Sequence, residues 1–513
     1  MEGSAVLSTS IRFRTLLRRT FSPGLKGFAL ATIEASMPNS PRVARAPFLA
    51  LALLVMSPVV VPKTWAQSVP VAATLSDDLK MKIDAAVNQI LSSTKVPSAS
   101  IAIVTDGRVA YLQAYGQARL SPAMEATPQM QYSIGSISKQ FTAAAVLLLV
   151  QEGKLSLDDP VSKYLPELTR SGEVTLRMLL SHTSGYQDYW PEDYVMTSML
   201  VPTTAQHILD VWGKRPLDFE PGTQWQYSNT NFVIAGRIVE QVSGVALIDL
   251  LEKRIFLPLG MVNVYDADAS RLPATDPTGY ERHALGPPRP SPQEGAGWMF
   301  AAGELAMPAH DLALWDISLI DRSLLGAASY KEMFTPVLLK SGVSSGYGLG
   351  VFLEKREGHA VIEHSGEVSG FVSENLVFPD DRAAIVVFTN EMASPAAGLI
   401  GRRLTPIVLG IGAPAPSKAE AQALAIFNGL ADGHLDRSLF TRYCNAYFSQ
   451  QTIDDFAASL KPLGPPLSFR ETKQEARGGM TFHVFTVTFP ERELRVTTYE
   501  MPDGKLEQYL VMP

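Results

Sequence analysis

Apolar and polar residues alternate with helical spacing at the start of the main region of the chain. From Asp77 to Leu91 the apolar residues recur three or four positions apart, which predicts an amphipathic helix. Two short apolar runs follow, Ser98 to Val104 and Arg108 to Gly116. The Asp106-Gly107 pair between them predicts a two-residue hairpin turn. A helix followed by a hairpin therefore opens this region.

The remaining pattern places helices in the middle of the region and strands at both ends. Ser138 to Gln151 is the most apolar helical segment, and Leu155 to Pro336 is predicted to be helical and rich in loops. A closing helix is predicted from about Pro395 to Leu409. The strands expected before it are Tyr347 to Leu353, Phe371 to Phe378 and Ala383 to Phe388. This order predicts an antiparallel sheet flanked by helices, with a helical insertion beside it.

The chain divides into segments of different composition. We predict an N-terminal extension with a signal peptide (1–66), a main domain (77–410), a linker rich in Gly, Pro and Ala (411–417) and a C-terminal domain (418–513). The last is predicted to be a small α+β domain. Its expected elements are helices between Lys418 and Leu460 and strands at Thr481 to Phe489, Glu493 to Glu500 and Lys505 to Val511.

The N-terminal segment has the organisation of an export signal. Arg42 and Arg45 precede an apolar run from Ala46 to Val61, and a small-x-small sequence ends at Ala66. The run is shorter than the roughly 20 residues that a bilayer span requires. We therefore expect cleavage near Ala66, a periplasmic or secreted protein, and no stable membrane span after cleavage. Met37 is a possible true start.

Composition excludes several function classes. With 513 residues, 46% of them hydrophobic and 19% charged, the chain is globular and too long for a single core. The net charge of −7 and the lack of a Lys/Arg cluster argue against nucleic-acid binding. Cys444 is the single cysteine, so no intrachain disulfide and no thiolate-rich metal site can form. No metal and no cofactor are expected.

Ser136 and Lys139 are the first candidates for chemistry. A serine hydroxyl is a weak nucleophile until a base takes its proton, and a lysine with a lowered pKa can do so. Their i, i+3 spacing places both side chains on one face at the start of the apolar helix. The same motif also occurs at Ser92 and Lys95, but it ends a helix there, so we reject that pair.

Two further motifs supply polar groups. Tyr227-Ser228-Asn229 follows a Pro-Gly turn and precedes a helical segment, where a tyrosine can relay a proton and an amide can orient a substrate carbonyl. His364-Ser365-Gly366 precedes a predicted strand. A glycine on an edge strand lets a substrate backbone approach and leaves N–H groups free for an oxyanion.

The three motifs together resemble those of the penicilloyl serine hydrolases, which include class C β-lactamases, DD-peptidases, D-aminopeptidases and related esterases. Ser-x-x-Lys, Tyr-x-Asn and His-x-Gly occur in that order, with gaps of 91 residues (227 − 136) and 137 residues (364 − 227). The resemblance spans about residues 77–410 and implies a two-subdomain β-lactamase/transpeptidase-like fold of the α/β (α+β) class. Supporting segments are Tyr132 to Ser136, Leu179 to Gly185, Pro221-Gly222, Pro258 to Met261 and Gly346 to Gly350.

The resemblance implies an acyl-enzyme mechanism on an ester or amide bond of a small-molecule or peptide substrate. Ser136 would attack the carbonyl, Lys139 and Tyr227 would move its proton, and Asn229 would hold the substrate. The oxyanion hole would use the backbone N–H of Ser136 and that of Glu367. His182, in one of the supporting segments, is expected to have a structural role.

The third motif departs from that of β-lactamases and many DD-peptidases, which carry Lys-Thr-Gly there. The lysine supplies a permanent cation for a substrate carboxylate, whereas His364 is mostly neutral near pH 7. The His-Ser-Gly form resembles D-aminopeptidases and esterase-like members. It therefore predicts esterase, D-aminopeptidase or carboxypeptidase-like activity and inefficient hydrolysis of β-lactams, although acylation by them is still expected.

Three alternatives remain open from the sequence. The chain could be a true class C-like β-lactamase, or a non-catalytic sensor that binds peptidoglycan fragments or a protein partner. It could also be an α/β-hydrolase, because Gly342 to Gly346 matches Gly-x-Ser-x-Gly around Ser344. That motif must join a strand to a helix, and here a strand is predicted after it, from Tyr347 to Leu353. The oligomeric state is not predicted.

Overall fold

The computed structural model describes residues 75–411, 417–466, 468–489 and 492–512. The predicted signal peptide, its end near Ala66 and the possible start at Met37 lie outside the described residues, as does most of the predicted linker. Within the described ranges, every helix is too short or too polar to span a membrane.

The described strands form a large sheet, a C-terminal sheet and smaller ladders. In chain order they are β1 Ser98–Thr105, β2 Arg108–Leu120, β3 Ala123–Glu125, β4 Tyr132–Ser133, β5 Tyr265–Asp266, β6 Tyr280–Glu281, β7 Arg289–Pro290, β8 Leu305–Met307, β9 Phe352–Arg356, β10 His359–Val368, β11 Phe371–Phe378, β12 Ala383–Thr389, β13 Ser468–Arg477, β14 Met480–Thr488, β15 Glu493–Glu500 and β16 Leu506–Met512.

The described helices cover both faces of the large sheet and fill the middle of the chain. They are α1 Asp77–Thr94, α2 Ser138–Gln151, α3 Leu176–Leu180, α4 Ala205–Ile208, α5 Asn229–Ser243, α6 Leu247–Leu251, α7 Leu257–Leu259, α8 Ala309–Asp321, α9 Ala327–Met333, α10 Ala396–Val408, α11 Lys418–Ala431, α12 Arg442–Tyr447 and α13 Gln450–Leu460. A 3₁₀ turn, Gly135–Ile137, precedes α2.

The large sheet is antiparallel and is built from both ends of the main region. Its strand order is β3-β2-β1-β12-β11-β10-β9. The central pair joins the N-terminal strand β1 to the C-terminal strand β12 in antiparallel register, with Ile101 opposite Val387. The predicted fold class, an antiparallel sheet flanked by helices with a helical insertion, is therefore confirmed.

Both faces of β1 are buried, because helices pack against each side of the sheet. Ile101 and Ile103 belong to one core cluster, with residues of α1 and α10 such as Ile83 and Leu404. Ala102 and Val104 point the opposite way, as alternation along a strand requires, and belong to a second cluster with residues of α2 and α8. This burial on two sides explains why β1 is almost continuously apolar.

Local signals in the sequence set the ends of the first elements. The Ser76 side chain accepts the Leu79 N–H at 3.3 Å and caps α1, whose first turn carries two aspartates. Asp106 and Gly107 both have positive φ, 53° and 72°, as a tight hairpin turn requires. The predicted helix and hairpin are confirmed.

Two predictions about elements were wrong. The predicted strand Tyr347 to Leu353 begins only at Phe352, because Gly346 and Gly350 have φ values of 71° and 77°, which are incompatible with an extended strand. Strand β13 was missed, because its outer half is exposed and mostly polar. The helices expected between Lys418 and Leu460 are present as α11, α12 and α13.

Residues after 417 have their own sheet and core. β13 to β16 pair antiparallel in chain order, and the strands predicted at Thr481, Glu493 and Lys505 correspond to β14, β15 and β16. Phe427 and Leu430 of α11 pack with Phe485 and Tyr509 of the sheet. The observed elements agree with a small α+β domain, while its boundary and the linker remain predictions.

Candidate active site

Ser136 lies in the 3₁₀ turn before α2, and the helix proper begins at Ser138. The turn packs against β10. Gly135 has a φ of 52°, and a Cβ on it would lie 2.7 Å from the backbone nitrogen of Glu367, so only glycine fits. The glycine before the serine therefore allows the turn to approach the strand that carries the third motif.

Lys139 is fully buried one turn after Ser136. Its Nζ donates hydrogen bonds to Ser136 Oγ at 2.9 Å, to Asn229 Oδ1 at 2.8 Å and to the Ala302 carbonyl oxygen at 2.8 Å. Three acceptors of fixed position hold the amine against the serine hydroxyl. The helical spacing predicted from the sequence thus brings the two side chains into direct contact.

Burial controls the protonation of this amine. The loss of hydration lowers the pKa of Lys139 from 10.5 to about 7, while the carboxylates of Asp188 and Glu304 act in the opposite direction. An amine with this pKa is partly neutral near pH 7. It can therefore take a proton from the serine hydroxyl, which an ordinary lysine cannot do.

Tyr227 lies on the other side of Lys139, with its ring centroid 4.9 Å from Nζ. Its hydroxyl is enclosed near Ser136 but outside hydrogen-bonding geometry with any described residue. Burial raises the pKa of Tyr227 above 10, and the neighbouring Ser136 opposes this rise. The phenol is accordingly neutral and can donate a proton.

Asn229 is the first residue of α5 and connects Lys139 to a carboxylate that sequence reasoning missed. Its Oδ1 accepts from Lys139, while its backbone N–H and Nδ2 donate to the two oxygens of Asp188 at 3.0 and 3.3 Å. The amide therefore orients the lysine, and both of its polar atoms are engaged within the protein, whereas the resemblance implied that Asn229 holds the substrate. Asp188 follows the Leu179 to Gly185 segment by three residues, and no recognised pattern marked it.

His364 is buried and its ring is fully engaged within the protein. Nδ1 faces the Ser365 carbonyl oxygen at 2.6 Å and must donate to it, so Nε2 accepts from the Tyr347 hydroxyl at 2.9 Å. Burial, together with the charge of Lys139, lowers the pKa of His364 to about 3. The histidine is neutral near pH 7, as the sequence predicted, and supplies no cation.

Gly366 and Glu367 lie on a part of β10 that is open on one side. β9 pairs with β10 only as far as Glu363, opposite Phe352, so residues 364–368 have no strand neighbour on that side within the described range 75–411. The turn that contains Ser136 packs against the face of β10 at this point. A Cβ on Gly366 would overlap the Ile134 carbonyl oxygen, which explains the glycine.

These residues surround a cleft of about 580 Å³. Its wall includes Ser136, Tyr227, Asn229, His364, Gly366 and Glu367 of the predicted set, together with the aromatic side chains of Trp190, Trp225 and Phe352. Four carboxylate residues line it, namely Asp188, Glu192, Asp193 and Glu367, and the wall contains neither Lys nor Arg. Acidic side chains therefore outnumber basic ones on the described wall of the cleft.

His182 is buried behind the cleft. Its Nδ1 accepts the Ser228 N–H at 3.2 Å, and its ring lies 4.3 Å from that of Tyr227. Burial lowers its pKa well below 6.5. The ring supports the loop that carries Tyr227, in agreement with the expected structural role.

The competing serines do not lie in comparable surroundings. Ser344 is exposed and forms an isolated bridge with Leu338. Helix α9 precedes it and strand β9 follows it, which is the reverse of the strand-to-helix order of a nucleophile elbow. Ser92 is exposed at the end of α1. These positions agree with the rejection of both serines, although the strand invoked against Ser344 starts five residues later than predicted.

A serine, a buried lysine and a tyrosine that meet beside an antiparallel sheet define the penicilloyl serine hydrolase class. Comparison with known proteins agrees with this class. The chain belongs to the β-lactamase family, whose model matches residues 83–407, which is more than half of its length.

The chain is similar to D-aminopeptidases. It is 30% identical over 349 residues to that of Brucella anthropi, covering 66% of this chain and 65% of the relative, and 27% identical over 357 residues to that of Gluconobacter oxydans (strain 621H), covering 69% and 66%. The match thus spans slightly less than two thirds of these relatives.

Among solved structures, the chain is similar to a D-stereospecific amidohydrolase from Streptomyces sp. The TM-score is 0.55 at 29% identity, over 62% of this chain and 96% of that one.

Proposed function

We propose that this protein is an exported serine hydrolase that cleaves amide or ester bonds through an acyl-enzyme on Ser136, with amides or peptides of D-amino acids as its substrates. The observation that carries the proposal is the contact between Lys139 Nζ and Ser136 Oγ at 2.9 Å, made by an amine whose pKa is about 7. The D-aminopeptidase relatives support the substrate class.

The proposed reaction begins when neutral Lys139 takes the proton of Ser136. The Oγ then attacks the substrate carbonyl carbon, and the negative charge on the carbonyl oxygen is stabilised by the backbone N–H groups of Ser136 and Glu367. When the tetrahedral intermediate collapses, the bond to the leaving amine or alcohol breaks and Tyr227 passes a proton to it, regaining one from Lys139. Water hydrolyses the acyl-enzyme by the reverse proton transfers. Asn229 keeps Lys139 oriented throughout.

His364 favours this proposal over a class C-like β-lactamase. A neutral ring with both nitrogens already hydrogen-bonded offers no cation to the carboxylate of a β-lactam. The carboxylates on the cleft wall would further repel that group. We expect p-nitrophenyl esters to be hydrolysed with a higher kcat/KM than nitrocefin, and the reverse order would contradict this role of His364.

The nucleophile can be tested directly by covalent labelling. A fluorophosphonate or penicillin adduct should map by mass spectrometry to the peptide that contains Ser136, and Ser136→Ala should abolish both the adduct and ester hydrolysis. Ser344→Ala is the matched control and should retain both. An adduct on Ser344 would overturn the assignment. A Ser136→Ala variant with full ester hydrolysis would mean that another residue is the nucleophile. A wild-type protein that binds such ligands without hydrolysing them would favour the non-catalytic sensor.

Export is a separate part of the proposal. The apolar run from Ala46 to Val61 and the small-x-small sequence ending at Ala66 support it. We expect the N-terminal sequence of the secreted or periplasmic protein to begin at Gln67. Recovery of the uncleaved chain from the cytoplasmic fraction alone would contradict export without affecting the catalytic proposal.

A further inference from the structure

Glu304 is a buried carboxylate that the proposed reaction does not use. Its side chain is 4% exposed, and it lies directly before β8. Its Oε2 accepts the N–H of Ala301, and its backbone oxygen accepts the Ala267 N–H at 2.8 Å. A glutamate is seldom buried to this extent unless it has a specific partner. The partner of the side chain here is a backbone amide in the turn formed by residues 299–304.

This turn contacts α2 through two successive carbonyl groups. The Ala302 oxygen accepts from Lys139 Nζ and the Ala301 oxygen accepts from Thr142 Oγ1, both at 2.8 Å. Lys139 and Thr142 have i, i+3 spacing on α2, so the two bonds lie on one face of the helix. The position of the turn therefore determines where Lys139 finds one of its three acceptors.

The backbone of the turn needs a partner at Ala301. This residue has a φ of 60°, in the left-handed region that residues other than glycine rarely adopt. The N–H groups of Ala302 and Gly303 bond within the turn to the Met299 carbonyl oxygen, at 3.0 and 2.7 Å. The Ala301 N–H donates to Glu304 instead, and a buried amide without an acceptor would be unfavourable. Glu304 therefore stabilises the conformation that the turn adopts.

We propose that Glu304 is a positioning residue that fixes the turn at Ala301 and Ala302 and so holds the amine of Lys139 against Ser136. The inference rests on the proposed function and deepens it, because it gives a residue outside the cleft wall a part in activating the serine. Glu304 is not among the residues that line the described cleft. Its replacement should therefore impair acylation through the lysine, without removing a contact to the substrate.

The test compares Glu304→Gln with Glu304→Met. The amide oxygen of glutamine can still accept the Ala301 N–H, whereas methionine has a similar length but only a weakly accepting sulfur. The plateau value of kcat/KM for a p-nitrophenyl ester should stay within about threefold of wild type in Glu304→Gln. It should fall about tenfold or more in Glu304→Met, because small displacements of a catalytic group have effects of this size.

The pH dependence provides a readout that a purely structural role would not change. Hydrogen bonds to the protonated amine favour that form, so loss of the Ala302 acceptor should lower the pKa of Lys139. The midpoint of the kcat/KM profile should therefore lie about half a pH unit or more lower in Glu304→Met than in Glu304→Gln.

The comparison of these two variants isolates the hydrogen bond from the charge. Burial, together with nearby carboxylates, raises the pKa of Glu304 well above 4.5, and neither variant has an ionisable group at this position. Those carboxylates are Asp266, Asp268 and Glu240. The ionisable groups around Lys139 are also the same in both variants, namely Asp188, Tyr227, His182 and His364.

Glu420→Met is the matched control. Glu420 is likewise a buried carboxylate that accepts backbone N–H groups, those of Ser417 at 2.9 Å and Glu471 at 2.7 Å. It belongs to α11 and does not line the described cleft. Its replacement should leave kcat/KM and the midpoint unchanged.

Thermal unfolding of each variant establishes that it is folded. If Glu304→Met does not unfold cooperatively, Glu304→Asp takes its place, because a carboxylate shorter by one methylene group should not reach Ala301. It should then have a lower kcat/KM than Glu304→Gln.

The inference is overturned if the shortened or apolar variant matches Glu304→Gln in kcat/KM, if the midpoint in Glu304→Met is not lower, or if the control is equally impaired. Labelling of wild-type Ser136 by a fluorophosphonate separates these failures from that of the proposed function, because it requires only the activated nucleophile. Absence of this labelling would overturn the proposed function and the inference with it.

Discussion

Replacing Lys139 by methionine should change the pH dependence of stability in a defined way. The amine is fully buried, and burial lowers its pKa from 10.5 to about 7. Methionine has a similar length and fills the same apolar space without a titrating group. The difference in unfolding free energy between the two proteins therefore isolates the protonation of one residue.

The magnitude follows from the two pKa values. The unfolded chain binds a proton at Lys139 below about pH 10.5, and the folded protein binds it only below about pH 7. Between these values the unfolded state holds more protons, so the stability of the wild-type protein relative to the variant rises with pH. The slope should be about 1.4 kcal/mol per pH unit, and a shift of about 3.5 units corresponds to a total of about 5 kcal/mol.

The measurement is urea unfolding of both proteins at several pH values from 7 to 10.5, followed by tryptophan fluorescence. Every tryptophan after residue 66 lies between residues 190 and 315, so the signal reports on the main region. Other groups that titrate in this range are present in both proteins and cancel in the difference. The hydrogen bonds lost with the amine add a constant to the difference in unfolding free energy and do not change its slope against pH.

Parallel stability curves for the two proteins would refute the reasoning, because they would mean that Lys139 titrates alike in the folded and unfolded states. A wild-type protein that loses stability relative to the variant as the pH rises would refute it as well. In either case the lysine would stay protonated near pH 7, and its assignment as the base that activates the serine would fail.

Three other perturbations test the site. In the wild-type protein, kcat/KM for a p-nitrophenyl ester should rise about tenfold per pH unit below pH 7 and level off above it, because the neutral form of Lys139 is the base; a flat profile would contradict this. Asp188→Asn removes a charge that raises the pKa of Lys139, so the midpoint of the kcat/KM profile should move to lower pH. A move to higher pH would exclude this effect of Asp188 on Lys139. Gly366→Ala adds a methyl group against the Ile134 carbonyl oxygen, which should cost about 1–3 kcal/mol of stability and slow acylation. Gly172→Ala, which has ordinary contacts, should leave both unchanged and serves as its control.

Local patterns in the sequence were sufficient for elements whose ends carry their own signals. The helix that begins at Asp77 and the turn at Asp106-Gly107 depend on residues within a few positions, and both were predicted correctly. The strand expected at Tyr347 depends on backbone conformation instead. Gly346 and Gly350 take positive φ there, and Gly350 packs closely against α2, neither of which an apolar pattern records.

The part of the candidate site that could be predicted consists of reactive residues that lie close together in the sequence. Ser136 and Lys139 are three residues apart on one helical turn, so their contact follows from the sequence. Asp188 and Glu304, which act on the lysine pKa, are far from it in the chain and reach it only through the tertiary fold.

The stagger between β9 and β10 has a consequence for how this protein tolerates change. Because pairing stops at Phe352 and Glu363, access to the third motif depends on strand length as well as on residue identity. Gly350, with its φ of 77°, lies just before β9 and prevents the strand from beginning earlier. An insertion or replacement that extended β9 by four residues at its N-terminal end would pair it with residues 364–367 of β10 and close the cleft. Every residue assigned to catalysis would remain in place. The site is thus vulnerable to changes in strand length at positions that contain no reactive group.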